Sequence, residues 1–133
     1  MAVIATESTH FSNVVKGIYK DNGLNFNFET VIVNDPAGTL VIGQVLGKVT
    51  ATGKYKRAVE TAVDGSKVAD AVVAEVKTIA GATDTQVLVL KRGPATLVKP
   101  NLTLDATYDN AAKKDAVYAS LNALQFQLLD VAV

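Results

Sequence analysis

Hydrophobic and polar positions follow two regimes along the chain, and the change comes at Asn27. Residues 1–26 show no sustained period. Ser8-Thr9-His10-Phe11-Ser12-Asn13 is polar apart from one aromatic side chain, Val14-Val15 and Ile18-Tyr19 follow, and Asp21-Asn22-Gly23 is a turn signal. This stretch reads as an N-terminal arm, flexible until it meets a partner, with a weak helical or extended element and a few apolar residues to dock with. From Asn27 the pattern is of strand type. Phe28, Thr30 and Ile32 alternate with Glu29, Val31 and Val33, and Asn34-Asp35-Pro36-Ala37-Gly38 ends the run. Thr39 to Thr50 is apolar and interrupted by Gly43 and Gly47, which predicts a bend or bulge of the kind found in small barrels. Thr52-Gly53-Lys54-Tyr55 then turns into another short strand.

Ala62 to Gly65 predicts a loop. Val68 to Ile79 is rich in Ala and Val, and its period fits a helix as well as a strand; the Val content favours a strand. Thr85 to Leu90 predicts a buried strand stopped by Arg92-Gly93-Pro94, and Leu102-Thr103-Leu104 a short extended piece. A helix is predicted over about 110–124, with Asp109 or Asn110 as N-cap. Its expected buried side carries Ala112, Ala116, Ala119 and Ala123 with Val117, Leu121 and Leu124 beside them, and Lys114, Asp115, Tyr118 and Asn122 are expected opposite. Phe126 to Val131 reads as a terminal strand. The expected fold class is therefore mainly β (α+β): a small barrel-like domain over 27–133 with one C-terminal helix, preceded by a flexible arm over 1–26.

Composition narrows this picture. The 133 residues suit one domain, and a 49% hydrophobic fraction is far above that of disordered chains. Trp is absent and aromatics make up only 6%, so the core must be built from Val, Leu, Ile and Ala. Thirteen basic residues balance thirteen acidic ones, which speaks against a nucleic-acid partner. The absence of Cys excludes disulfides, thiolate metal sites and thiol nucleophiles. The start lacks the pattern of a signal peptide and no run is long enough for a membrane span, so a soluble protein made in the cytoplasm is expected, with no membrane partner.

The candidate chemistry is thin, and no catalytic residue, cofactor or metal is expected. His10 is the single histidine, sits in the polar arm and has no neighbouring carboxylate or nucleophile to work with. Gly47 to Lys54 has a partial likeness to a phosphate-binding loop. It has five residues rather than four between Gly47 and Gly53, Tyr55 where a hydroxyl ligand belongs, and a strand-turn-strand setting. Asp105 and Asp109 bracket a short loop without further oxygen ligands at calcium-loop spacing, so a turn and a helix cap explain them. Asn101-Leu102-Thr103 fits the glycosylation pattern, which has no weight without secretion. Lys54, Lys56 and Arg57 form one basic group and Lys91-Arg92 another. They read as solvated strand ends, or alternatively as contacts to an acidic patch on a partner.

One segment is more specific. Gly43-Gln44-Val45-Leu46-Gly47-Lys48-Val49-Thr50-Ala51-Thr52-Gly53-Lys54-Tyr55-Lys56 closely resembles a segment of the lambda-type phage head decoration proteins, which cement the capsid. The likeness continues through Asp64-Gly65, Ala71 to Val76, Val87 to Ala95, Leu102 to Asp109 and the Ala-rich helix, in order over residues 27 to 133. The resemblance implies a β-tulip domain. It also implies a structural, non-enzymatic role on the outer surface of the virion. The implied partners are the major capsid protein and two further copies of the chain, as trimers at three-fold positions of the expanded head that hold it against the pressure of packaged DNA. In the family picture the arm adds a strand to a capsid loop, which makes Thr6, Thr9, His10, Phe11, Val14 and Val15 the expected capsid-binding residues. Two other readings stay open: a rarer virion component such as a head-fibre base or head–tail connector, and a lipoyl- or biotinyl-type carrier domain. The latter would need a modifiable Lys, and Lys54 between Gly53 and Tyr55 lacks the usual flanking residues.

Overall fold

The computed structural model of the protein describes residues 14–18, 27–81 and 83–130. Ten strands run in the order β1 (Val15–Ile18), β2 (Phe28–Val33), β3 (Gly38–Leu40), β4 (Val45–Lys48), β5 (Tyr55–Arg57), β6 (Ala69–Val73), β7 (Lys77–Ile79), β8 (Thr85–Leu90), β9 (Ala95–Val98) and β10 (Phe126–Leu129). A turn of 3-10 helix at Lys99–Asn101 and the helix α1 (Ala111–Ala123) lie between β9 and β10. The fold is mainly β, built around a closed barrel ordered β2-β5-β4-β6-β8, with a three-stranded sheet β1-β9-β10 and a two-stranded pair β3-β7.

Alternation closes the barrel. β2 and β8 pair antiparallel from Phe28↔Leu90 to Val33↔Thr85, so Val31 faces Val87 across the ladder and Glu29 faces Val89. Val31, Val33, Val87 and Val89 form one core cluster with Leu46, Tyr55, Ala71 and Val73, and Leu40 and Ile79 of the β3-β7 pair join it. The second cluster lies on the other face of the same strands. There Val45, Ala69, Val72 and Leu90 meet Leu97 and Phe126 of the three-stranded sheet and Val117 and Leu121 of α1.

β6 explains the ambiguous Ala/Val stretch, because Ala71 and Val73 point into one cluster and Ala69 and Val72 into the other. A strand buried on both faces has no polar face to reveal its period. The single strand expected over Val68–Ile79 is in fact two. Beyond β6 the amide of Ala74 still donates to the Leu88 carbonyl at 3.0 Å, but the Leu88 amide is taken by the Glu75 carboxylate at 2.8 Å. A side chain thus ends the ladder and frees the backbone to turn into β7. The expected irregularity in the Gly43–Gly47 stretch is a register shift between Leu46 and Gly47 in the β4–β6 pair. The Gly47 Cα lies against the Ser66 backbone so closely that no side-chain atom fits there.

The helix has the expected span, capped by the Asn110 side chain, which accepts from the Lys113 amide at 3.0 Å. Its buried face differs from expectation. Val117 and Leu121 are buried, while Ala112, Ala116, Ala119 and Ala123 are exposed and Tyr118 packs against the core. The two large aliphatic side chains decide the orientation, since a buried Ala removes far less apolar area from water than a Leu. β9 has no counterpart in the sequence expectations, yet it is the centre of its sheet. It pairs antiparallel with β1 and parallel with β10, and the parallel pair requires the crossover that α1 supplies.

The largest correction concerns the N-terminal arm. Val14 and Val15 are 0% and 7% exposed and belong to the second core cluster. β1 follows directly and pairs Val15↔Leu97, Gly17↔Thr96 and Ile18↔Ala95. Residues 14–18 are therefore part of the folded domain rather than of an arm ending at residue 26. Four side chains amid polar neighbours are too few to show a period, but Val14, Val15 and Ile18 are β-branched, the one signal that could have marked an edge strand.

Candidate functional site

The basic groups are resolved by their partners. Lys54 pairs with Asp84 at 3.0 Å, Lys56 with Asp64 at 3.1 Å and Arg57 with Asp35 at 2.9 Å. Lys91 pairs with Asp70 at 3.2 Å and Arg92 with Glu29 at 3.0 Å. Asp35, 6% exposed, also accepts from the Arg57 amide at 3.0 Å, so this pair ties the loop after β2 to β5. Every cation of the two groups is matched within the chain, which favours strand-end pairing over an open acidic-patch receptor. The Ser66 hydroxyl and amide, then Lys56, hold the Asp64 carboxyl well below the usual carboxylate range. Asn34 and Lys54 lower that of Asp84.

Gly47 to Lys54 lies in a hairpin. The Val49 amide donates to the Lys54 carbonyl at 2.8 Å and the Gly53 amide to that of Val49 at 2.8 Å, so these amides are spent on the turn rather than aimed at a phosphate. Asp105 accepts from the Thr107 hydroxyl and amide at 2.7 and 3.0 Å, a local turn, and Asp109 pairs with Lys113 at 3.2 Å. Among the described residues no three His, Cys, Asp or Glu side chains gather as a metal site, and no helix is long and apolar enough to cross a membrane. Lys54, the residue a carrier domain would have to modify, is engaged by Asp84.

Of the six expected contact residues, Thr6, Thr9, His10 and Phe11 lie outside the described residues, and Val14 and Val15 are core. Val14 is seated in the core, and β1 is an edge of the three-stranded sheet. The chain is fastened again at Asn27, which is 1% exposed. Its side-chain amide donates to the Arg92 and Pro94 carbonyls at 2.9 and 3.0 Å, and its backbone carbonyl accepts from the Lys91 amide at 2.8 Å. Both ends of the β1–β2 connection are thus tied to the stretch around β9. Sequence reasoning did not find this anchorage, since its hydrogen-bond partners lie more than sixty residues away.

Tyrosines lock the polar ends of the two cores. The Tyr55 hydroxyl donates to Asp70 at 2.8 Å, and burial and that bond raise its pKa well above the usual phenol value. The Tyr108 hydroxyl donates to the Lys67 carbonyl at 2.8 Å. Burial, then Glu60 and Asp105, push its pKa up from 10.0 to about 12. Because the folded value is the higher one, its contribution is complete below about pH 10 and is lost as the pH rises towards 12. Denaturant titrations across this window are expected to show a steeper loss of stability in the wild type than in Tyr108→Phe. Equal slopes would mean that the phenol is not held neutral by the fold.

Compared with known proteins, the chain has no match among curated sequences. Residues 5–126 match the family model of the bacteriophage lambda head decoration protein D.

Proposed function

The chain belongs to the bacteriophage lambda head decoration protein D family, structural proteins of the phage virion that decorate its capsid, and from that membership we propose how it does so. It binds the outer surface of the expanded head as a trimer at three-fold positions, contacts the major capsid protein, and stabilises the shell against the pressure of packaged DNA. The observation that carries this reading is the family match, which runs from residue 5, within the arm, to residue 126 at the start of the last strand. The stabilisation is linkage: a ligand that binds only the expanded lattice lowers the free energy of that lattice. A trimer engages several subunits at once, so modest single contacts multiply. No bond is made or broken.

In this reading the grip is the arm before Val14, with Thr6, Thr9, His10 and Phe11 as contact residues, and strand addition to a capsid loop as its mode. Val14 and Val15 leave the list of contacts, because exposing them would open the protein's own core. The test is co-sedimentation with expanded, undecorated heads of the cognate phage, comparing the full chain with one lacking residues 1–13. Saturable binding by the full chain near one copy per capsid subunit is expected, with affinity lowered at least about tenfold in the truncated chain. The melting temperature of the truncated chain is measured alongside, and an unchanged value is what lets lost binding report lost contacts. Binding at only a few copies per head would point instead to a head-fibre base or connector.

A further inference from the structure

Four large apolar side chains are exposed among the described residues: Val63, Val68, Val76 and Leu88. Val63 and Val68 lie at one end of the molecule, where the 58–68 loop meets the β4–β5 hairpin; the Thr50 amide donates to the Asp64 carbonyl at 2.9 Å and joins the two. Val63 is 99% exposed and Val68 54%. Between loop and hairpin lies an open depression of about 400 Å³ lined by Lys48, Thr50, Gly65, Val68, Asp70 and Lys91.

The charges around it are unequal in what they have left to offer. Asp70 already accepts from Tyr55 and pairs with Lys91, and Asp64 is held by Ser66 and Lys56. Among the described residues no carboxylate pairs with the Lys48 or Lys67 ammonium group. In a chain whose formal net charge is zero, this end therefore presents two cations that no described carboxylate matches, beside two exposed aliphatic side chains. Phosphate could satisfy the cations, but Val63 and Val68 provide no aromatic platform on which bases could stack. A protein surface satisfies both features.

We infer that this end is a second docking surface, for a protein segment that presents carboxylates beside an aliphatic or aromatic side chain. The inference rests on the capsid-binding reading and places that segment on the decorated shell. An apolar anchor rimmed by charge is the usual anatomy of a protein contact, and the charged rim speeds encounter and makes it salt-dependent.

The experiment compares the full chain with the double variants Lys48→Glu/Lys67→Glu and Val63→Ser/Val68→Ser in co-sedimentation with expanded heads at low and high salt. All four side chains are solvent-facing, and melting temperatures establish that the variants are folded. The charge-reversed variant is expected to bind about tenfold more weakly at low salt and to lose most of the salt dependence. The serine variant is expected to bind more weakly at both salt concentrations. Binding of both variants within twofold of the full chain would overturn the inference and leave the capsid-binding reading standing. Failure of the full chain itself to bind would overturn both.

Discussion

Gly47→Ala is expected to lower the free energy of unfolding by at least about 3 kcal/mol, read as a fall in the urea midpoint at unchanged slope. An alanine Cβ at position 47 would lie against the Ser66 carbonyl carbon, oxygen and Cα, all of them backbone, well inside van der Waals distance. Backbone cannot swing aside as the end of a lysine can. β4 pairs with β6 on one side, where Gly47 faces Ala69, and with β5 on the other, where it faces Lys56. Moving the strand away would therefore break the barrel ladder on both flanks. Gly53 in the same hairpin is the internal control. Its φ is +74°, and its Cβ would meet only the Lys48 Cε at 3.9 Å, so Gly53→Ala should cost about 1 kcal/mol through backbone strain alone. Equal costs at the two positions would show that the close approach of Gly47 to Ser66 is not what the barrel depends on.

Leu121→Ala is expected to cost about 3 kcal/mol, and Ala116→Lys on the same helix less than about 0.5 kcal/mol. Leu121 is fully buried between α1 and the wall formed by β6 and the three-stranded sheet, and truncating it leaves a cavity that Val117 cannot fill from one turn away. Ala116 faces solvent, and Lys is nearly as good a helix former as Ala. Chemical denaturation of the two variants discriminates sharply. A large loss at Ala116 with little at Leu121 would mean that the helix sits on the sheet by its alanine side.

That alanine side shows what could be read from the sequence and what could not. The helix itself was legible, because its cap and its helix formers act locally, and so were β2, from its alternation, and β8, from an apolar run stopped at Arg92-Gly93-Pro94. The orientation of α1 was not. Alanine counts as apolar in a pattern but buries little area, so a stripe of four did not outweigh Val117 and Leu121. β9 was hidden for another reason: four residues between Pro94 and Lys99-Pro100 carry no period, and they are a strand because β1 and β10 flank them from eighty residues before and thirty after. The basic groups could be noticed but not resolved, since their acidic partners come from other strands and loops. Of the expected contact residues, Val14 and Val15 could not be recognised as core from the sequence, because the cluster that takes them in is assembled from β4, β6, β8, the three-stranded sheet and α1.

The early fastening of the chain at Val14 also sets a length. Had the domain begun at Asn27, Thr6 would hang on twenty-one residues and could travel up to about 70 Å from the domain surface. With Val14 seated in the core, only eight Cα–Cα steps join it to Thr6, and the reach shrinks to about 28 Å. For a chain that explores its range freely, the shorter tether holds its far end at about four times the local concentration. A contact made through Thr6, as proposed above, would be confined to about 28 Å of the point where Val14 enters the core.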